Sequence, residues 1–248
     1  MRFLELRGRV DEAEAAVRRF EHAAGVAPVD SPPAQPSPSP GPGALWAAAN
    51  RLRTAALWVV WFSINFAYYG AFIWLPTLLV ADGFSLVRSF GFTLIITLAQ
   101  LPGYAVAALL IETWGRRATL ATFLAGSALG AGLFAAADGE TAILLTGMLL
   151  SFFNLGAWGA LYAVTPEVYP TALRATGAGA AAGFGRLASI AAPLCVPPLL
   201  DAGGTGLVFG TFAAFFLLGG LATWWLPERR GQALEDVAGP TAALAREG

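Results

Sequence analysis

The sequence predicts an all-α membrane protein of six transmembrane helices, preceded by an amphipathic cytoplasmic helix and a Pro-rich linker. The first observation is composition: 56% of the 248 residues are hydrophobic and only 12% are charged, about half the ~25% charge of a soluble domain. The second is that the apolar residues come in runs of span length, about 20 residues each. The third is that little polar sequence separates these runs, too little to cover them in water.

In chain order, "VDEAEAAVRRFEHAA" spaces Val10, Ala13, Val17, Phe20 and Ala24 along one stripe with charges elsewhere, as an amphipathic helix requires. The N-terminus has no continuous apolar core of the kind a signal peptide carries. "PVDSPPAQPSPSPGPG" then reads as an extended Pro/Ser/Gly linker without a core. The expected organisation is a cytoplasmic helix over 1–27, a linker over 28–53, a six-helix bundle over 54–228 and a cytoplasmic tail over 229–248. The six spans fall at 55–80, 90–111, 118–137, 141–164, 178–200 and 206–226, joined by "ADGFSLVRS", "ETWGRR", "ADGE", "TPEVYPTALRATG" and "DAGGTG". Backbone groups in lipid must be satisfied within each segment, which selects helices.

Orientation follows from the arginines, which are the only basic residues. A cytoplasmic N-terminus puts Arg51, Arg53, Arg116, Arg117, Arg174, Arg229 and Arg230 inside and only Arg88 outside, while Asp82, Asp138, Glu140 and Asp201 lie outside. Both termini are then cytoplasmic, in a multi-pass protein of the cell membrane. Gly126 with Gly130, and Gly179 with Gly183, sit at the helical spacing that allows close helix contact.

Polar groups inside spans are costly and so are candidates for function. Arg186 lies about nine residues into its span, about 13 Å at 1.5 Å per residue, and is expected to face a cavity. Asn65, Tyr68 and Tyr69 share one helix face, and Gln100, Asn154 and Trp158 are similar mid-span groups that suit a small organic solute. For each of these, interhelical hydrogen bonding or packing is the bland alternative. The spans hold no interior Asp or Glu, so the usual intramembrane proton carrier is missing. The net charge of −1 gives no footprint for nucleic acid, and His22 and Cys195 stand alone, without the partners a metal site needs. No catalytic signature is present and no cofactor is expected. "GAGAAAG" at Gly177 opens a membrane span without a preceding strand, unlike a dinucleotide fingerprint.

The connectors resemble those of the major facilitator superfamily, specifically the C-terminal half of its twelve-helix transporters. "ETWGRR" resembles the D-R-x-G-R-R loop, "PEVYPTALR" the PE-x-(F/Y)-P-x-x-x-R element, and "LPERRGQALED" the PETKG-x-x-LE ending of sugar-porter-like members. "FLELRGRVDEAEAAVRRF" resembles the central cytoplasmic loop. Within the superfamily, "NFAYYGAFIWLPTLL" and "ITLAQLPGY" are similar to the synaptic-vesicle-protein-related branch, which includes bacterial nicotinate transporters. Two departures from the hexose porters point away from hexoses: Tyr162 at a Trp position, and a shortened Asn65-x-x-Tyr68-Tyr69.

The resemblance implies a symporter-like carrier of a small organic acid or sugar-like solute, working by alternating access at the interface of two six-helix halves. This chain would supply one half, read as a truncation or displaced start. The N-terminal half would complete the site and bring the proton-carrying carboxylate; a second copy of the chain is the other candidate partner. The alternative is a remnant or half-transporter acting only as a partner or scaffold. Glu112, Arg116, Arg117, Glu167 and Arg174 are expected to form a cytoplasmic gate. In it, Glu167 would pair with Arg116 or Arg117 as an exposed latch worth about 0–1 kcal/mol, broken on inward opening.

Overall fold

The computed structural model describes residue 4 and residues 9–26, 41–170 and 172–228. The first half of the expected linker (28–40), the expected tail with Arg229 and Arg230, and most of the "LPERRGQALED" motif lie outside the described residues. Helices account for the regular structure and no strand occurs among the described residues. Contacts divide the chain at 43/44 into two units.

The first unit holds α1 (Val10–Ala24), whose bounds match the amphipathic stripe. Asp11 and Glu12 sit in its first turn and His22 in its last, the arrangement that complements the helix dipole. Gly25 closes it in the left-handed conformation, with φ 66°.

The second unit is a bundle of α2 (Arg51–Ala81), α3 (Leu86–Leu98), α4 (Gln100–Trp114), α5 (Arg116–Ala135), α6 (Glu140–Val164) and α7 (Arg174–Ala222). Among the described residues five helical stretches are long and apolar enough to cross a membrane, with α3 and α4 counted as one. Their exposed residues are also apolar, Leu94, Leu101, Leu145, Leu187 and Leu194 among them, which suits a bundle bathed in lipid. The chain is an all-α integral membrane protein.

Two boundaries differ from the sequence expectation. The second expected span is broken at Ala99, between α3 and α4. Pro102 explains the break, because it has no N–H for the carbonyl four residues back. The last two expected spans are the two limbs of α7, and the expected connector "DAGGTG" narrows to a kink at Gly203 and Gly204, whose backbone is not helical. α7 would be about 74 Å long if straight, more than twice the ~30 Å hydrocarbon core. It reverses at Gly203 and Gly204, and Gly204, at φ 65° and ψ −168°, uses a conformation open to glycine and few others. The limb over 174–202 runs parallel to α2, with Gly185 against Trp61 and Asn65. The limb over 205–222 runs back, with Phe212 against Gly70 and Gly219 against Ser63.

The bundle is packed through glycines. α2 contacts both limbs of α7, α5 lies between α6 and α7, and α4 lies on α6. A Cβ on Gly130 would come within 2.7 Å of the Leu150 backbone, and one on Gly126 within 2.3 Å of the Phe153 ring, so this pair does mediate close contact. Gly179 and Gly183 do not: nothing lies within 4 Å of a Cβ at either. The packed stripe of α7 is Gly177, Ala181 and Gly185. Two residues along a helix turn the side chain through about 200°, which puts Gly179 and Gly183 on the open face. Gly130→Ala is therefore expected to lower the melting temperature by the equivalent of about 1–3 kcal/mol of overpacking. Gly183→Ala should leave it unchanged or raise it, and equal losses in the two variants would refute this packing.

Candidate functional site: an aromatic pocket and a charged end

At mid-bundle, α2, α4, α6 and the first limb of α7 surround a cavity of about 180 Å³. Its lining brings together Tyr68, Tyr69, Trp158 and Arg186 of the sequence candidates, with Tyr104, Leu155 and Tyr162 added. Helical spacing puts Leu155, Trp158 and Tyr162 on one stripe of α6. Tyr68 and Trp158 meet edge to face at 5.8 Å, and Trp158 stacks on Tyr162 at 5.7 Å. Gly159 admits Tyr104, whose ring would stand 3.2 Å from a Cβ there.

Arg186 is exposed to this space and not to a packed helix. Its guanidinium donates a hydrogen bond of 2.8 Å to the Tyr69 hydroxyl and lies 5.9 Å from that ring's centroid. One hydrogen bond leaves most of its five donors available. The pocket therefore offers a fixed cation with a donor fork beside aromatic walls, chemistry suited to a flat ring bearing a carboxylate.

The remaining candidates sit elsewhere. Asn65 is fully buried and tied between helices: its Nδ2 donates to the Trp61 carbonyl at 2.7 Å, and its Oδ1 accepts from Ser189 at 2.8 Å. Asn154 and Gln100 are buried just off the pocket lining. Tyr104 and Tyr162 were not among the expected cavity residues, though each carried a usable signal: each falls one or two turns from a candidate on its own helix.

The arginine-bearing end forms a second constellation. Arg116 Nε and Glu167 Oε1 lie 2.9 Å apart, with the side chains only 26% and 16% exposed, so the expected pairing is present but more enclosed than a surface latch. Arg174 Nε donates to the Pro166 carbonyl at 2.8 Å. Tyr169 is fully buried over Gly177, and its hydroxyl donates to Thr54, which donates to the Leu45 carbonyl. Burial pushes its phenol pKa up, partly offset by the bond to Thr54.

Arg117 turns away from Glu167. It donates to the Leu226 carbonyl at 3.3 Å, and its backbone N–H donates to Glu228 at 3.2 Å. Glu228 was not among the sequence candidates. Glu112 is exposed on the last turn of α4 and joins no ion pair among the described residues. At the opposite end Arg88 pairs with Glu140, and Thr205 donates to Asp82 at 2.7 Å. A larger cavity of about 510 Å³ opens there among turn residues, remote from the mid-bundle candidates.

Residues 2–239 match the family model described as sugar (and other) transporter. The chain is 48% identical over 203 residues to the niacin transporter NiaP of Acinetobacter baylyi, covering 81% of this chain and 46% of that protein. It is 31% identical over 192 residues to the 3-(3-hydroxy-phenyl)propionate transporter of Escherichia coli, covering 76% and 47%. It is 29% identical over 207 residues to the synaptic vesicle 2-related protein of Rattus norvegicus, covering 75% and 38%. The chain thus spans less than half the length of these relatives.

For the charged end, reversing either charge (Arg116→Glu or Glu167→Arg) should destabilise the fold. The loss should lie between the ~0–1 kcal/mol of exposed pairs and the ~3–5 kcal/mol of buried ones. The double swap should recover most of it in thermal melts; a double variant no better than the sum of the singles would refute the pairing.

Proposed function

Because the chain belongs to the sugar (and other) transporter family of major facilitator proteins, we propose that it is the C-terminal six-helix half of a secondary transporter for a small aromatic carboxylate. One observation carries the reading: Arg186, a mid-membrane cation, is held by Tyr69 at the edge of an aromatic pocket. The ring of the solute lies against Tyr68, Trp158 and Tyr162, and its carboxylate meets Arg186. Two relatives are named for solutes of this type, niacin and a hydroxyphenylpropionate. At about 180 Å³ the cavity is smaller than the ~300–1,000 Å³ of a complete small-molecule site, as suits one wall of a site shared by two halves.

The rest of the reading follows the family pattern. The N-terminal helix over 1–27, the linker over 28–53 and the tail over 229–248 lie in the cytoplasm, and the bundle over 54–228 spans the plasma membrane. An N-terminal half, or a second copy, faces the open pocket, and the carboxylate that couples transport to protons comes from the N-terminal half. Arg116, Glu167 and Arg174 belong to one half, with the buried Tyr169 among them. Rocking of one half against the other would carry them as a unit, so they serve as a brace more than as a latch. Arg117 joins the brace through Glu228, and Glu112 is left at its edge.

Uptake of labelled nicotinate into vesicles carrying this chain with an N-terminal six-helix half tests the reading. Arg186→Gln should cut uptake at least tenfold, in line with the ~1.5–3 kcal/mol of a hydrogen bond to a charged group, and Arg186→Lys should restore part of it. Equal uptake by wild type and Arg186→Gln, or no aromatic acid taken up by wild type, would sink it.

A further inference from the structure

Among the described residues, eight buried side-chain nitrogen or oxygen atoms have no hydrogen-bond partner. Three of them, Trp58 Nε1, Ser63 Oγ and Trp74 Nε1, are scattered along α2. The other five are Gln100 Nε2, Ser151 Oγ, Asn154 Nδ2, Asn154 Oδ1 and Trp158 Nε1, and these lie along one stripe of α6 and the part of α4 that packs on it. Ser151, Asn154 and Trp158 follow one another at i, i+3 and i+7 on α6, a single stripe. Gln100 comes to the same stripe from α4. Its neighbours fix the register: Ile96 packs on Gly147, and Gly103 lies against the backbone of Phe152. Tyr68 packs on Trp158 and both line the aromatic pocket, so the group adjoins the pocket through these two residues.

Burial at these positions is deep. Asn154 and Ser151 are fully buried, Trp158 is 6% exposed and Gln100 7%. A helix bundle in lipid gives such groups no water to bond, and orphaned amides that only packed would cost stability without return. Three of the five atoms are N–H donors: the Gln100 and Asn154 amides and the Trp158 indole. Exchanging the Asn154 oxygen and nitrogen does not alter that count, since both are unpartnered.

We propose that Gln100, Ser151, Asn154 and Trp158 form a second subsite adjoining the pocket, a donor-rich nest that takes the hydrogen-bond-accepting ring atom of a heteroaromatic carboxylate. The proposal rests on the reading of the pocket as an aromatic-carboxylate site. Arg186 then holds one end of the solute and the nest holds the other. The aromatic walls accept any flat ring, so the nest supplies the discrimination. A ring without an acceptor leaves the buried donors unpaired, and that is how a polar site rejects an isostere.

Nicotinate and benzoate test this cleanly, being matched in size and carboxylate and differing in one ring nitrogen. Their dissociation constants are measured by calorimetry on the chain together with an N-terminal six-helix half in lipid nanodiscs, and each protein is also melted without ligand. Wild type should bind nicotinate tighter than benzoate by on the order of tenfold to a hundredfold. Asn154→Leu should bring that ratio to about one. It should also raise the melting temperature of the empty protein, because it removes an unpaired buried amide from a site that no helix satisfies. Trp158→Phe removes the indole N–H along with part of the ring; lost wall area weakens both acids alike, so the ratio should still fall in the same direction if the leucine variant does not fold.

A ratio unchanged in both variants, or a lower melting temperature for Asn154→Leu, overturns the nest and leaves the carboxylate site standing. Equal binding of the two acids by wild type also overturns the nest alone. Binding of neither acid by wild type overturns the pocket assignment and the nest together.

Discussion

The close approach of α2 to both limbs of α7 is the contact on which the rest of the bundle depends. Lipid tails are as apolar as leucine, so burial of apolar surface gives helices little reason to associate within a bilayer. What remains is contact area, and contact area needs small residues. Gly185 lets the first limb reach Trp61 and Asn65, and Gly70 lets Phe212 of the second limb sit on α2. Asn65 fastens the first limb through Ser189. One turn farther along α2, Tyr69 then stands where Arg186 can reach it. The placement of the charge is thus a consequence of glycine packing some 4 residues away, at Asn65.

The arginine-bearing end shows the opposite economy of residues, with large groups buried and polar groups paired. Tyr169 fills the notch over Gly177, and its hydroxyl begins a relay through Thr54 to the Leu45 carbonyl. Trp61 donates to Thr165, which donates to Leu161. These bonds tie the turn after α6 to the start of α2, and the Arg116 to Glu167 pair ties it to α5. The connector with Pro166 and Pro170 is thus a joint between three helices.

Much of this was legible from residues alone because lipid enforces simple rules. Span length, the sidedness of arginine, and the cost of an unpaired guanidinium all act locally, so the helices, the two charged ends and the cavity-facing Arg186 could be read directly. Other features depend on neighbours that a single sequence does not specify. Asn65 and Asn154 carry the same signal, an amide within an apolar run, yet Asn65 is bonded between two helices and Asn154 is left without a partner. Gly179 and Gly177 differ only in helical phase, and the partner that picks the phase, Tyr169, arrives from another element. Tyr104 enters the pocket through room left by Gly159, 55 positions away. Of the two arginines expected to compete for Glu167, Arg116 takes it, and the backbone N–H of Arg117 meets Glu228 from beyond the last limb.

The reversal at Gly203 and Gly204 has a consequence for how the protein is made. The turn between the limbs is only two glycines wide, and the nearest charged residue along the chain is Asp201. Neither limb has a polar segment on that side large enough to be carried across and anchored by itself. The two limbs must therefore enter the bilayer together, as a hairpin led by its glycine tip, after α2 is already in place to receive both. Assembly of the last quarter of the chain is in this sense a single docking step.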